Sequence, residues 1–430
     1  MLSQQIRILS KSKWNLGFNT GCLVLFMALL YQGPILQQDS SSYIDFLPTR
    51  SPLYPLILKL NVLIAGPDNF YGLIFFQLIL GFYSAFQLSE KFRSLFSLDR
   101  FSKNLFILAL LLPYYYGGEK FGNWVMTEAI AYPLFLMAVG FLLEGLLRKS
   151  TRSLLYCLGF TSLVILTRRQ FLFIYPVFAL CLGYLFFVER KNFQIGILVL
   201  SFIGSIFATN LFEKTYQYIR NGHFSTVPFT GIQLIIAPLY VSKDSDVTLF
   251  QDEDQKRIFL EVRKQMHQKN ITFEDLNKPP FESNPTMVFT QFYENYYNTI
   301  CWDIVAPVLN QQGFTDVFKR DEITIDMALT LIQHNFKNCL QLYLRGIIYN
   351  MGGLYFSFFL LCTFFVAFIQ KFKLSDNLSL AVLVTLLLSG ANYSLIVLVE
   401  PIMRRYAAYT NTIQLCMLLT LVMIAMRKKV

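Results

Sequence analysis

The chain has 430 residues, 54% of them hydrophobic and 16% aromatic, with a mean hydropathy of +0.46 and a formal net charge of +10. A soluble domain has nowhere to hide 43 Phe, and the apolar residues gather in runs of about 17–25, the length that crosses a hydrocarbon core. Those runs are continuous rather than alternating, which excludes a β-barrel. The positive charge sits largely in short loops, which points to anionic lipid and away from nucleic acid.

Residues 1–16 are basic and lead into an apolar run without a small-residue cleavage site, so a retained first span is expected rather than a signal peptide. Apolar runs predict spans at 17–33, 70–88, 104–117, 124–147, 153–167, 170–188, 193–211, 352–370, 378–400 and 406–426. The loop at about 34–69 holds apolar stretches too short to span, such as Leu53 to Ile64, which read as helices lying in the interface. Spans five and six join through a tight hairpin at Thr167-Arg168-Arg169-Gln170. The segment 212–350 is the soluble-like part. It carries an acidic run at Asp252-Glu253-Asp254, a turn at Pro279-Pro280 and one helical stretch from about Ile323 to Ile348. In that stretch Met327, Leu331, Phe336, Leu340, Tyr343 and Ile347 recur at helical spacing. The expected fold is an all-α polytopic membrane protein of about ten transmembrane helices. It comprises a seven-span module (1–211), an extracytoplasmic segment (212–350) and a three-span module (351–430).

Orientation follows from basic residues in the short loops. Seventeen lie on the side of the N-terminus and seven on the other; the other thirteen of the 37 fall in 212–350, a segment long enough to translocate regardless of charge. Both termini are therefore expected in the cytoplasm, and the first loop and 212–350 outside. The seven exceptions include Arg50, Arg168, Arg169, Arg404 and Arg405, on the same face as Asp39. Cys301 and Cys339 are the two cysteines of the polar segment, where an oxidising face permits a disulfide; spacing does not decide it. The other five cysteines fall in apolar spans.

Asp39 follows the first span closely and opens Asp39-Ser40-Ser41-Ser42-Tyr43. A carboxylate at the outer surface can act as a general base or help hold a divalent metal beside a phosphate; it can equally be an ordinary helix N-cap. Asp45 is a second, unsupported candidate. Arg50 can clamp a phosphate as a planar fork or snorkel to headgroups. Two arginines in so short a hairpin as Arg168-Arg169 call for an anion, met by a phosphate or by Glu119, Glu128 or Glu400. Arg404-Arg405, after Glu400 and Pro401, poses the same choice. Glu128 is an acid at membrane depth, or a first-turn residue with Thr127. No Walker loop, GxGxxG, HExxH or CxxC occurs, and His223, His267 and His334 lack ligand spacing. A donor on the outer face has to be carried by a lipid.

Asp39-x-x-x-Tyr43 followed by Arg50-x-Pro52-x-Tyr54-Pro55 resembles the first outer loop of GT-C-type glycosyltransferases, multispanning enzymes that use polyprenyl-phosphate-linked sugars. Thr127-Glu128-Ala129, leading into Pro133-Leu134-Phe135-Leu136, is similar to that family's fourth-span opening. Leu166-Thr167-Arg168, with Pro176 beyond, is similar to its arginine hairpin. Ile332-Gln333-His334-Asn335-Phe336 resembles its helix before the next span, with Asn335 where a proline is usual, and Ser40 stands where the protein mannosyltransferase version has a second acid. The resemblance implies an inverting transfer from a polyprenyl-phosphate sugar to a glycan, lipid or protein acceptor. Asp39 would be the base and Arg168 the phosphate contact. Tyr43, Arg50, Tyr54, Glu128, Arg169, Arg404 and Arg405 are further substrate-binding candidates. A divalent metal such as Mg²⁺ or Mn²⁺ stays open. The rivals are a transporter or flippase using the same arginines, which should carry polar groups deep in broken spans, and another membrane transferase or glycan polymerase.

Overall fold

Among the described residues, helices form wherever the sequence carries a long apolar run. In the computed structural model, which describes residues 2–116, 120–189, 192–273, 297–351, 377–399 and 404–427, all named secondary structure is helical apart from one isolated bridge, Ile35 with Trp124. α1 (Leu2–Gln32) stops at Gly33, whose φ of +73° is left-handed and whose Cβ, were there one, would stand 2.8 Å from the Tyr71 hydroxyl. The loop beyond it holds α2 (Ser40–Ile44) and α3 (Leu53–Ala65), then come α4 (Tyr71–Leu95), α5 (Arg100–Tyr115), α6 (Glu128–Leu147) and α7 (Thr151–Thr167). A 3₁₀ turn, Arg169–Phe173, feeds α8 (Ile174–Tyr184), and α9 (Asn192–Asn221) follows.

Among the described residues six helical stretches are long and apolar enough to cross a membrane: Tyr71–Leu95, Glu128–Leu147, Arg169–Phe187, Gln194–Asn221, Asn377–Val399 and Arg405–Ile424. They fit a multi-pass membrane protein. Leu16–Gln32 and Thr151–Thr167 are shorter apolar helices, the expected span at 104–117 falls on α5, and the one at 352–370 lies outside the described residues.

The chain divides into two compact units. One holds 1–209, 373–387 and 408–430; the other holds 210–372 and 388–407. In the first, α6 packs against α4 and α7. It is apolar all round, the mark of a central helix, and its most apolar window is 89% buried, against 17% for α9, whose apolar side chains face outward. Gly145 lets α6 and α7 touch, since a Cβ there would meet Leu154 at 2.6 Å. One end of these helices, where α4 and α6 finish and α5 starts, is tied by charge: Lys91 pairs with Glu144, and Lys103 reaches Glu90 at 2.8 Å. In the first loop Tyr54, Pro55 and Leu58 of α3 are buried while Leu60, Leu63 and Ile64 are exposed, the two-faced pattern of an interfacial helix.

The second unit has its own core. α10 (Thr230–Leu234), α11 (Ile236–Val241), α12 (Glu253–Gln268), α13 (Ala306–Gln311) and α14 (Val317–His334) bury Ile235, Leu239, Phe259, Met266, Val308 and Leu331 together. The acidic run serves as the start of α12: the Asp252 carboxylate accepts from the Asp254 N–H at 3.0 Å. Pro279-Pro280 lies outside the described residues. The helical stretch expected as one piece over 323–348 is two helices, α14 and α15 (Phe336–Asn350), broken at Asn335. Asn335 leaves helical geometry at φ −99° and ψ 29°, and its amide donates to Asp246 Oδ2 at 2.8 Å. The apolar pattern therefore splits: Met327 and Leu331 are buried, Phe336 and Leu340 exposed. α16 (Asn377–Val399) and α17 (Arg404–Arg427) complete the described chain. No disulfide joins Cys301 and Cys339, and burial pushes the Cys339 thiol up to about 11, which keeps it protonated and slow to exchange at neutral pH.

Candidate functional site

The site is assembled in the first unit, where the first loop meets the starts and ends of α6 and α7. A short bridge sets it: Ile35 N–H donates to Asn123 O at 2.8 Å and Val125 N–H to Ile35 O at 3.0 Å. The Asn123 amide locks the end of α1 by donating to Leu29 O at 2.6 Å and Gly33 O at 2.8 Å. This pairing brings the loop after α1 against the turn that precedes α6.

Asp39 stands before α2 in helical geometry and makes no side-chain cap bond. Its carboxylate instead accepts from Arg50 Nη2 at 3.1 Å, with 39% of the side chain exposed. Arg50 is the hub of the loop. Its Nε donates to Ser42 Oγ at 2.7 Å, Nη1 to the Tyr43 hydroxyl at 3.3 Å, and its guanidinium lies 4.6 Å from the Tyr43 ring centroid. Such a forked set fixes the plane of the guanidinium as one ion pair alone would not. Tyr43 meets Tyr54 edge-on at 5.5 Å, and Tyr54 donates to the buried Gln77 of α4 at 3.1 Å. Gln77 in turn donates to the carbonyls of Gly122 and Trp124 at 3.1 and 3.2 Å.

Glu128 is completely buried at the first turn of α6. Arg168, the extended residue that ends α7, donates to its Oε1 at 2.7 Å, and Thr127 donates to its Oε2 at 3.2 Å. Arg168 also donates to Thr127 Oγ1 at 3.3 Å, and the Tyr43 hydroxyl lies 3.3 Å from that same oxygen. Thr127 thus bridges two ion pairs, Asp39–Arg50 and Glu128–Arg168, into one polar network. Of the anions weighed for the arginine hairpin, the structure supplies Glu128; Glu119 and Glu400 lie outside the described residues.

The network unites Asp39, Tyr43, Arg50, Glu128 and Arg168, with Tyr54 packed on its edge. Arg169 is half-buried at the start of the 3₁₀ turn, and Asp45 is an exposed residue after α2. Arg405 belongs to the second unit, where it donates to the Tyr406 hydroxyl at 3.0 Å and lies 4.9 Å from that ring; Arg404 opens the same helix. Three members were missed as site residues in the sequence. Gln77 carried a signal, an amide inside an apolar run. Ser42 and Thr127 carried none beyond adjacency to Tyr43 and Glu128. The histidines take structural places: His267 bonds Asp244 at 3.0 Å, and His223 stacks 4.1 Å from Phe318.

Among the described residues no three His, Cys, Asp or Glu side chains gather as a metal site. One carboxylate facing an arginine does not suit Mg²⁺ or Mn²⁺, which want several oxygen ligands. No protein-family model, curated protein or solved structure matches the chain.

Proposed function

We propose that the chain is an integral membrane glycosyltransferase of the GT-C type, moving a sugar from a polyprenyl-phosphate carrier to an acceptor on the extracytoplasmic face with inversion. In this reading it has about ten spans and both termini in the cytoplasm. The observation that supports it most is the network just described. It joins an accessible carboxylate to Arg50 of the first loop and to Arg168 at the end of α7, positions where basic residues run against the sorting rule. Asp39 is the residue that removes the proton of an acceptor hydroxyl. Arg50 holds the Asp39 carboxylate in one direction. Arg168, oriented by Glu128, stabilises the charge that develops on the leaving phosphate. Tyr43 and Thr127 keep the two halves in register.

The test is release of polyprenyl phosphate by purified full-length protein given a pool of polyprenyl-phosphate sugars. Wild type should release it. Asp39→Asn should lose at least two orders of magnitude, the usual share of a positioned base. Arg168→Lys keeps a positive charge beside Glu128 and should lower turnover without unfolding the protein. A well-folded wild type that releases nothing from any donor sinks the proposal and makes a lipid-flipping assay the next step.

A further inference from the structure

The second unit holds a groove that the transfer reading does not use. α11, α14, α15 and α16 enclose about 270 Å³ between them, near the lower end of small-molecule sites at about 300 Å³. Leu234, Pro238, Leu340, Tyr343 and Val397 are among its walls. α15 and α16 meet closely here, because a Cβ on Gly346 would stand 2.5 Å from Val397 Cγ1.

The outer side of α15 is unusual for a segment in water. Phe336, Leu340, Leu344 and Ile348 recur every fourth residue and are 59%, 40%, 50% and 37% exposed. Such a continuous apolar ridge marks a surface made for contact. Lys337 and Arg345 stand on the next ridge, and Arg345 also lines the groove. Apolar ridge beside basic ridge is the pattern of a helix lying in a membrane interface.

Two facts of position say what covers this face. Val397 and Leu398 form the last turn of α16, a helix long and apolar enough to cross a membrane. α15 ends at Asn350, just before the apolar sequence 352–370. Both set the groove at the level where hydrocarbon gives way to headgroups.

We propose that this groove holds a hydrocarbon chain of an anionic phospholipid of the surrounding leaflet, with α15 lying in the interface. The apolar walls take the chain out of water. Lys337 and Arg345 select the headgroup, each worth about fivefold in preference for a net-negative lipid. A zwitterionic lipid fills the same groove without that gain. The assignment stands on the membrane location of the chain and not on sugar transfer, so a failed transferase assay leaves it untouched.

The experiment takes the full chain in mild detergent with equal amounts of phosphatidylglycerol and phosphatidylcholine, and counts retained lipid by native mass spectrometry. Wild type should retain phosphatidylglycerol at least about fivefold over phosphatidylcholine. Ala237→Trp, which fills the groove from α11, should lose the retained lipid. The pair Lys337→Gln with Arg345→Gln keeps side chains of similar reach without the charge and should keep lipid but lose the preference. Equal retention of both lipids by wild type overturns the proposal. So does a preference that survives the paired substitution, and so does displacement of the phospholipid by an equal amount of polyprenyl phosphate, which would make the groove a carrier site.

Discussion

At the scale of single residues, Glu128 decides what the network costs and what it does. A completely buried carboxylate is held by Arg168, itself 15% exposed, at 2.7 Å. Removing one member of such a pair leaves a charge in a poor solvent, which costs roughly 3–5 kcal/mol. Arg168→Ala should therefore lower the thermal midpoint in detergent sharply, and adding Glu128→Ala should restore much of the loss. A single variant that melts with the wild type would show that the pair carries no stability. Tyr43→Phe removes one 3.3 Å contact to Thr127 and one to Arg50, both at the long end for hydrogen bonds, and should cost about 1 kcal/mol. That small effect on folding makes it a clean probe of activity. The acids and arginines of this site were legible in the sequence because charge is rare beside apolar runs. Their pairing was not: Asp39 and Arg50 are eleven residues apart, but Glu128 and Arg168 are forty apart, and no local rule selects Glu128 over Glu119 or Glu400.

Elements show the same division. Long apolar runs give helices in water or lipid, so α4, α6, α9 and α16 fall where hydropathy expects them. The break at Asn335 escaped because the apolar pattern runs straight through it, and the partner of its amide, Asp246, lies eighty-nine residues earlier. The 3₁₀ turn carrying Asp246 also carries Asp244, which clips it to α12 through Arg263 Nε at 2.8 Å and His267 at 3.0 Å. Burial alone would raise the Asp244 carboxyl, yet the hydrogen bonds from His267 and Arg263 outweigh it and hold it below the usual range. A carboxyl lowered on folding adds stability above its unfolded value, about 3.9, and that stability is lost as pH falls through the lower folded value. Asp244→Asn should thus melt below wild type at neutral pH and converge with it in acid; a gap that widens below about pH 4 would overturn the assignment. In the first unit, Gly145→Leu drives α6 into Leu154 and should cost about 1–3 kcal/mol, measured by thermal unfolding.

For the whole molecule the argument rests on which side of the membrane the network faces. The count of seventeen basic residues against seven is a statement about insertion, read from sequence alone. On the proposed reading it puts the first loop, and with it Asp39 and Arg50, on the outer face. An outer face holds no soluble activated sugar, which is why the proposed donor is a lipid-linked one. Cysteine labelling with a membrane-impermeant maleimide tests this directly on a chain carrying Cys339→Ser and Cys362→Ser, since Cys22, Cys157, Cys181, Cys301 and Cys416 are buried and leave a low background. Asp68→Cys and Gln251→Cys, at exposed positions of the first loop and the second unit, should label in intact cells. Arg100→Cys, exposed at the start of α5, should label only after the membrane is opened. The reverse pattern would place Asp39 among cytoplasmic nucleotide sugars. The need for a lipid carrier would then vanish, Arg168 would face the phosphate of a nucleotide sugar instead, and the polyprenyl-phosphate donor proposed above would fall.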